Sequence, residues 1–430
     1  MFDSDGMLRK PDPDSSSKIA TNGPFFTVMV PTMNRPNLLK AAIHSVMWQS
    51  FPDFELIVSD NSNDEASRTK NQATIEEYVK DPRVRYIHPA RWMNMPDHWE
   101  FATRHATGRY VVILTDRFVM RPSALEFLHS QINKYPSKYR VVSWYDQSTF
   151  NEQSGILING DFRAETAIFD SKELVRNYAR FNVGNATNLW SNRLPRSLNS
   201  CYRFDVAQTI RNKHGRLFIP IAPDYTAAFL LLAYTDTIFY LDRPLFINHG
   251  DQSNGYNFLV YDDTAFISTL EGVNIFEGVP LRINTAYNFI MRDLLKVKSI
   301  VDPEFFDVSP DLVGYYLLNY CELQHRERLG SLTDINAYYT HWWNGVGKLT
   351  PDQQKKIKEG VKELDQQRVS LIGLRRLVVR IGLAPFYHLV MAKLRYVRQR
   401  LAGKPIYPNV FEAAKQTDYI LTNTFEKTTL

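Results

Sequence analysis

The chain has little cysteine and no long apolar run. Its 430 residues contain two cysteines, Cys201 and Cys321, which are too few for a disulfide framework and favour a reducing compartment. No run of about 18 apolar residues occurs, which argues against a membrane-spanning helix. Residues 1–23 are rich in Asp, Ser, Lys and Pro and lack the apolar core of a signal peptide, so we expect a disordered lead-in and a cytoplasmic protein.

Strong net charge is also missing. The formal charge of +5 is mild and does not by itself indicate a nucleic-acid partner, so none is expected. The glycine-rich pattern of dinucleotide binders is missing as well, because Pro31–Pro36 contains no glycine. This argues against an ordinary Rossmann dehydrogenase. With 44% hydrophobic residues, the chain can bury a sizeable core, and its length suits two or three domains.

The first informative pattern is a strand–helix–strand unit. Phe26–Pro36 and Phe54–Ser62 each begin as an apolar run and stop at polar, turn-forming residues, as buried parallel strands do beside a ligand site. Between them, Leu38–Trp48 places apolar side chains at helical spacing. Ligands of open α/β sheets bind at the carboxyl edge of the strands. The unit gathers five polar residues there: Thr32, Asn34, Arg35, Asp60 and Asn61.

Three linked motifs resemble glycosyltransferase family 2, a group of inverting enzymes with the GT-A fold. They are Val30–Pro36, Gln49–Pro52 and Val58–Ser62, in the order and spacing of the family. The resemblance extends to about residue 255. It implies an α/β fold of GT-A type, with a Rossmann-like, mostly parallel sheet flanked by helices. It also implies transfer of a sugar from a nucleotide-diphosphate donor to an acceptor hydroxyl.

The resemblance implies that the acid at the end of the second strand, Asp60, holds the nucleoside of the donor. An alternative from the residues alone is an Asx turn of Asp60 with Asn61 and Ser62, and both roles can hold together. The nucleotide-sugar site expected on this basis comprises Pro31, Thr32, Asn34, Arg35, Asp60, Asn61, Thr115, Asp116 and Arg117.

The third strong strand, Tyr110–Leu114, runs into Thr115, Asp116 and Arg117. In the family this strand carries a D-x-D-type motif whose carboxylates hold a divalent cation against the diphosphate. Only Asp116 remains here, so two interpretations stay open. Asp116 binds Mn²⁺ or Mg²⁺ with help from His249, or Arg117 supplies positive charge to the diphosphate directly. In a third, structural interpretation these are ordinary loop residues.

Asp224 precedes the apolar helix Thr226–Ala233, where an acid is favoured as a cap. In the family an acid at this point is the general base, which takes the proton from the acceptor hydroxyl. The two roles can coincide, and we expect Asp224 to be the catalytic base. The acceptor expected from the resemblance is a glycan or a lipid-linked glycan.

The domain boundaries follow from changes of pattern along the chain. We expect a GT-A domain over 24–258, with a nucleotide half at 24–145 and an acceptor half at 146–258, then a helical region over 259–364. The last part, 365–430, is basic. Between residues 368 and 404 it has seven Lys and Arg residues, no acid and interleaved apolar residues. Pro385 divides this stretch into two amphipathic helices, which either lie on an anionic membrane surface or pack on the protein.

The expected function is therefore an inverting glycosyltransferase of polysaccharide or lipid-linked glycan synthesis, peripheral at the inner face of a membrane. The alternative from another class is a non-catalytic GT-A-like scaffold in a membrane-associated glycan assembly complex, since the D-x-D motif is reduced. A sugar nucleotidyltransferase is disfavoured, because its glycine-rich phosphate loop is missing at the first strand.

Overall fold

The structure, a computed structural model, describes residues 23–134, 139–182, 193–249, 257–259, 264–368, 403 and 405–423. The strands are β1 Phe26–Thr32, β2 Phe54–Asp60, β3 Val84–Ile87, β4 Tyr110–Ile113, β5 Phe118–Met120, β6 Val141–Trp144, β7 Ser148–Asn151, β8 Ile156–Asn159, β9 Thr166–Asp170, β10 Ser200–Arg203, β11 Thr237–Leu241 and β12 Phe246–Asn248. The helices are α1 Pro36–Met47, α2 Glu65–Glu76, α3 Met95–Arg104, α4 Ala124–Asn133, α5 Ser171–Ala179, α6 Phe204–His214, α7 Pro223–Ala233, α8 Ala265–Ser268, α9 Ala286–Ile300, α10 Leu312–Leu329, α11 Ile335–Val346, α12 Pro351–Arg368 and α13 Val410–Asn423.

The centre of the molecule is an eight-stranded sheet in the order β3-β2-β1-β4-β10-β6-β11-β9. Every residue of β1 and β2 is buried, as apolar strands require when helices cover both faces of a sheet. The first four strands are parallel and follow the Rossmann order 3-2-1-4. The predicted mixed α/β fold with a mostly parallel sheet is therefore confirmed.

Two strands run against the others. β10 lies between β4 and β6 and pairs antiparallel with both, and β9 is an antiparallel edge strand next to β11. Because β10 is reversed, its first residue lies at the edge where β4 and β6 end. The sequence patterns predict no strand for the segment before residue 204. Its antiparallel strand was missed because four residues carry too little pattern.

A smaller sheet, in the order β5-β12-β7-β8, stands beside the main one. β5 follows Arg117 directly, and β12 ends one residue before His249. Asn248 pairs with Phe118 in this antiparallel ladder, and the backbone N–H of His249 donates to the carbonyl of Arg117 at 3.0 Å. The fold thereby brings two distant predicted site residues to one end of the small sheet.

The predicted helical C-terminal part is confirmed by α9 to α12. One continuous apolar core joins α7, the main sheet and these helices, with Leu230, Leu294, Tyr316 and Trp342 among its members. These helices therefore stabilise the face of the sheet that carries α7. The predicted lead-in, residues 1–22, and the basic stretch 369–402 lie outside the described residues. In the described part of the chain, no helix is long and apolar enough to cross a bilayer.

The last described helix, α13, packs on the small sheet rather than on α12. Its buried residues Val410, Ala413 and Ala414 contact Val119 of β5 and Ile247 of β12. The chain before it also joins this sheet, because the N–H of Tyr407 donates to the carbonyl of Gly155 at 2.8 Å. Residues 405–418 thus belong to the packed α/β part of the molecule.

Candidate functional site

The candidate site lies along one edge of the main sheet. β1, β2, β4 and β6 end there, and the reversed strand β10 begins there. The chain leaves β1 toward β2 and β3 on one side and reaches β4 on the other, so the switch point of the sheet falls between β1 and β4. Ligands of open α/β sheets bind at such a point. Thr32 ends β1, and Asp116 follows β4 closely.

Asp116 is buried at the switch point and joins the two strands. Its Oδ2 accepts a hydrogen bond from Oγ1 of Thr32 at 2.8 Å, and its Oδ1 lies 3.4 Å from Nη1 of Arg35. Burial raises the pKa of Asp116 above the ordinary aspartate value, and the positive charge of Arg35 and the Thr32 hydrogen bond oppose that rise. The carboxylate therefore orients a guanidinium at the mouth of the site.

Arg117 is the next residue and is half-buried. Burial lowers its pKa to about 10, and the neighbouring Arg35 adds to the lowering, while Asp116 and Asp224 raise it. The guanidinium stays charged at neutral pH and lies 5.0 Å from the ring centroid of Phe118. Arg117 is therefore electrostatically coupled to Asp116 and Asp224, two of the three carboxylates that the sequence predicted as functional.

His249 lies beside Arg117 through the backbone contact described above. Its Nδ1 is 3.3 Å from Oε1 of Glu152, and its side chain is buried. Within the described residues, Nε2 is buried without a hydrogen-bond partner. The structure thus brings His249 to the loop that carries Asp116, and pairs it with Glu152, a residue that the sequence had not indicated.

The described residues do not present a donor set for a divalent cation. Both carboxylate oxygens of Asp116 are engaged by Thr32 and Arg35. Over the described ranges, no three His, Cys, Asp or Glu side chains come together as a metal site. Mg²⁺ and Ca²⁺ need several oxygen ligands, and the described residues around Asp116 supply only part of such a set.

Asp60 forms the Asx turn that the sequence allowed. Its Oδ1 accepts from the N–H of Ser62 at 2.9 Å. Its Oδ2 accepts from Nδ2 of Asn71 at 3.0 Å and from the Tyr86 hydroxyl at 2.6 Å. A carboxylate has about four acceptor sites, so one further donor can still reach it. The predicted nucleoside role of Asp60 is compatible with this position, which is buried at the end of β2.

Asn61 and Asn34 fix two loops at this edge. Nδ2 of Asn61 donates to the carbonyl of Met93 at 2.7 Å, and its Oδ1 accepts from the Met93 N–H at 3.0 Å. Asn34 has a positive φ of 56°, which Asn tolerates better than most residues. Its side chain exchanges two hydrogen bonds with Asn63. Both asparagines therefore shape the loops around the site.

Two predicted residues have simpler positions. Pro31 is buried in β1 and pairs in register with Ser59 of β2. The carbonyl of Thr115 accepts from the N–H of Phe118 at 2.9 Å, which closes the turn that carries Asp116 and Arg117. Within the described residues, the Thr115 hydroxyl is buried without a hydrogen-bond partner.

Asp224 lies in the first turn of α7, whose N-cap is Ala222. The simple capping interpretation is therefore wrong in detail, since Asp224 is inside the helix. Its carboxylate still accepts from backbone N–H groups of that turn, including that of Tyr225. The turn before α7 is fixed by Asp293, which accepts from the N–H groups of Ile221 and Ala222 at 2.9 and 2.7 Å.

The environment of Asp224 combines burial with nearby positive charge. Burial raises its pKa above the ordinary aspartate value, while Arg196, the backbone N–H groups and Arg117 lower it. A general base works best when its pKa approaches the working pH. The net shift of the Asp224 pKa is upward, toward the working pH.

The sequence missed two residues on this side of the site, Arg196 and Asp146. Nη2 of Arg196 donates to Oδ2 of Asp146, and its guanidinium lies 5.5 Å from the ring centroid of Tyr225. Burial lowers the pKa of Arg196, but Asp146, Tyr225 and Asp224 raise it more, so the pKa lies above its ordinary value. Asp146 follows β6 and Arg196 precedes β10, so recognition of β10 as a reversed strand was the missing signal.

Carboxylates and guanidinium groups therefore share one edge of the sheet. Arginine suits phosphate recognition because its guanidinium is planar and permanently charged, and a buried carboxylate suits proton abstraction. The set reads, from the β1 side to the β6 side, Arg35, Asp116, Arg117, Asp224, Arg196 and Asp146.

Comparison with known families gives one match. Residues 27–184 match the family model described as "Glycosyl transferase family 2", which confirms the resemblance seen in the motifs. The matched range contains the predicted nucleotide-side residues together with Asp146. Asp224, Arg196 and His249 lie beyond it.

Two curated proteins and one solved structure illustrate the similarity. Protein CgeD of Bacillus subtilis is 29% identical over 155 residues, which is 34% of this chain and 35% of CgeD. The GalNAc(5)-diNAcBac-PP-undecaprenol beta-1,3-glucosyltransferase of Campylobacter jejuni is 30% identical over 112 residues, which is 26% of this chain and 35% of that protein. The chain thus spans about a third of the length of these relatives. The structure of S. aureus TarS 1–349 with UDP-GlcNAc is 14% identical, covers 79% of this chain and 91% of that one, and has a TM-score of 0.43, too low to support a conclusion.

Proposed function

Since residues 27–184 match the family model of glycosyl transferase family 2, we propose that the chain is an inverting glycosyltransferase. It moves a sugar from a nucleotide-diphosphate donor to the hydroxyl of a glycan or lipid-linked glycan. The observation that carries the proposal is the carboxylate of Asp224 in the first turn of α7, which is coupled electrostatically to Arg117 beside the switch point of the sheet. A base and a cation for the leaving group are the two charges that this reaction requires.

The donor occupies the edge formed by β1, β2 and β4. The nucleoside lies toward Asp60 and Asn61, which follow one another at the end of β2. The remaining acceptor site of the Asp60 carboxylate takes a donor group of the base or ribose. Thr32, at the end of β1, and Asn34, in the loop after it, border the same space.

The diphosphate faces the guanidinium groups of Arg35 and Arg117. Asp116 acts through Arg35, since the two side chains are 3.4 Å apart. Preorganised positive charge at the leaving group stabilises the charge that develops in the transition state. In the alternative proposal, a divalent cation binds near Asp116 and His249 is a second ligand. The donor set around Asp116 favours the arginines.

Asp224 removes the proton from the acceptor hydroxyl as the hydroxyl oxygen attacks the anomeric carbon. The new glycosidic C–O bond forms while the bond from that carbon to the diphosphate oxygen breaks. The proton goes to the carboxylate, and the nucleoside diphosphate leaves with the electron pair. Attack from the side opposite the leaving group inverts the configuration at the anomeric carbon.

The acceptor is proposed as a glycan or a lipid-linked glycan. The Campylobacter relative is named as a glucosyltransferase of a PP-undecaprenol-linked saccharide, which supports this class. The basic stretch between residues 368 and 404 supports a location at the inner face of an anionic membrane, since each basic residue near such a surface contributes about 1 kcal/mol.

A nucleotide-sugar panel tests the proposal. The purified chain is incubated with each donor plus a mixture of glycan and lipid-linked acceptors, and nucleoside diphosphate release is measured with Mn²⁺, with Mg²⁺ and with EDTA. We expect release from one donor, and we expect it to survive EDTA because guanidinium groups face the diphosphate. Loss of release in EDTA would instead assign the charge to a metal ion near Asp116.

Binding separates an inactive protein from a missing acceptor. Thermal stabilisation by UDP, GDP, CMP and dTDP is measured in the same plates, because a ligand that binds the folded state raises its unfolding temperature. Stabilisation without release would point to an acceptor outside the panel. If the chain shows neither thermal stabilisation nor nucleoside diphosphate release, the enzyme proposal is contradicted and the scaffold alternative is favoured.

Replacing Arg196 with Gln is expected to shift the pH dependence of transfer. Arg196 lowers the pKa of Asp224, so its loss raises that pKa and makes less carboxylate available at acidic pH. The acid limb of kcat/KM should therefore move to higher pH, by about one pH unit. The measurement is the rate of nucleoside diphosphate release over a pH series.

The matched control is Arg193→Gln. Arg193 lies three residues earlier in the same segment, and its charge interacts with Tyr240 and Asp242. It should leave the acid limb unchanged. An unshifted limb in Arg196→Gln, with normal folding, would remove Arg196 from any role in setting the pKa of the base.

A further inference from the structure

Two large apolar side chains stand exposed at the β1–β3 end of the candidate site. Trp92 is 42% exposed and Met33 is 40% exposed. They contact each other, because Nε1 of Trp92 lies 3.4 Å from Sδ of Met33. Single exposed apolar residues are common on protein surfaces, but paired ones at the mouth of a polar site indicate a contact surface.

The loops behind these two side chains are fixed to the candidate nucleotide residues. Met33 follows Thr32, whose hydroxyl is bound to Asp116. Met93, which follows Trp92, is held through both backbone polar groups by the side chain of Asn61. Asn61, which follows Asp60, therefore fixes the loop that carries Trp92.

The strand order gives the direction of a bound donor. The loop with Trp92 follows β3, and β3, β2, β1 and β4 are successive strands of the sheet. The segments with Arg196 and Asp146 lie on the other side of β4, next to β10 and β6. A donor with its diphosphate at Arg35 and Arg117 and its sugar toward Asp224 therefore extends its base toward β2 and β3.

We propose that the indole of Trp92, supported by the thioether of Met33, stacks on the nucleobase of the donor. This inference rests on the proposed function and adds a nucleobase-binding residue to it. A base offers a flat ring that covers an exposed indole, and stacking on an aromatic side chain is favourable for every base. Methionine sulfur also makes favourable contacts with aromatic rings. A saturated sugar ring at the same place would make a weaker contact and would not require the neighbouring Asp60.

The test compares nucleotide binding by the full chain and by Trp92→Ala, using calorimetry with UDP, GDP, CDP and dTDP, and with inorganic pyrophosphate as a probe without a base. Loss of the indole should weaken the best nucleoside diphosphate by about ten-fold, while the affinity for pyrophosphate stays within experimental error. Trp92→Phe keeps a ring and should recover most of the affinity.

Trp343→Ala is the matched control, because Trp343 on α11 is 40% exposed and belongs to the helical C-terminal part. It should bind nucleotides like the unaltered chain. Equal nucleotide affinity in Trp92→Ala would overturn the stacking proposal. Equal losses for nucleotide and pyrophosphate would also overturn it, since the indole would then act by holding its loop. If the unaltered chain binds pyrophosphate but no nucleotide, the proposed function fails as well, and that result is distinct from the first two.

Discussion

Replacing Asp224 with Asn is expected to reduce the rate of sugar transfer by about 10²- to 10⁴-fold, the usual contribution of a general base. The amide keeps the shape of the side chain and cannot take a proton from the acceptor hydroxyl. Nucleotide affinity should change little, because the nucleoside lies toward β2 and β3. The measurement pairs kcat for nucleoside diphosphate release with a calorimetric Kd for the nucleotide.

The control for this substitution is Asp205→Asn. Asp205 also lies in the first turn of a helix, α6, and is paired there with Arg203. It follows the end of β10, whereas the candidate site lies at the edge where β10 begins. We expect normal turnover in this variant. Turnover above about a tenth of the normal rate in Asp224→Asn would show that another group takes the proton, since loss of a base costs more than that.

The same experiment has a pH signature. Burial raises the pKa of Asp224, and Arg196 and Arg117 oppose the rise. A base with this pKa gives the rate an acid limb, because the protonated carboxyl cannot accept the proton. The residual rate of Asp224→Asn should lose that limb, and a purely structural role of Asp224 would leave it in place.

The sequence was most informative where long apolar runs alternate with polar turns. The unit from β1 to β2 was predicted because seven buried residues in each strand leave a clear signal. The placement of Asp116 after β4 and of Asp224 at the start of α7 followed from the same kind of boundary. The apolar pattern is weaker at α2, where only Asn71 and Ile75 are buried. The helix begins at Glu65 because Asp64 caps it through the N–H of Ser67.

The sequence was least informative where pairing depends on residues far apart. β10 has four residues, and its antiparallel place between β4 and β6 is decided by both neighbours. Unless β10 is recognised, nothing in the sequence places Arg196 and Asp146 at the same edge of the main sheet. The salt bridge between Arg35 and Asp116 spans 81 residues of sequence, so the spacing of the motifs could not reveal that the reduced D-x-D motif holds a guanidinium.

The packing of α13 on the small sheet likewise could not be predicted from the sequence. Its contacts come from residues nearly 300 positions earlier, including Ser123, whose hydroxyl donates to Oδ1 of Asp418 at 2.9 Å. The sequence grouped residues 365–430 as one basic C-terminal part, and its two predicted helices were expected either to lie on a membrane or to pack on the protein. The structure divides that segment, since residues 405–418 pack on the small sheet and the stretch 369–402 lies outside the described residues.

A chain that ends at residue 404 is expected to lose about 3–5 kcal/mol of stability, and its unfolding temperature should fall by about 5 °C or more. The truncation exposes Val119 and Ile247, which α13 buries. It also removes Thr417, which accepts from the buried guanidinium of Arg121, and Asp418, whose negative charge interacts favourably with Arg121. Loss of the partners of a buried charge is destabilising. The measurement is the unfolding temperature by calorimetry.

The truncation should also reduce transfer, because β5 continues directly from Arg117 and β12 leads to His249. A deletion before residue 365 therefore cannot test membrane binding alone, since it removes α13 as well. The matched variant keeps α13 and replaces the seven basic residues of the stretch between residues 368 and 404 with Gln. It should retain the normal unfolding temperature and transfer rate on a soluble acceptor, and float less with anionic liposomes. A chain ending at 404 that unfolds at the normal temperature would contradict the stabilising role of α13, because the packing of this helix on β5 and β12 would then contribute nothing measurable.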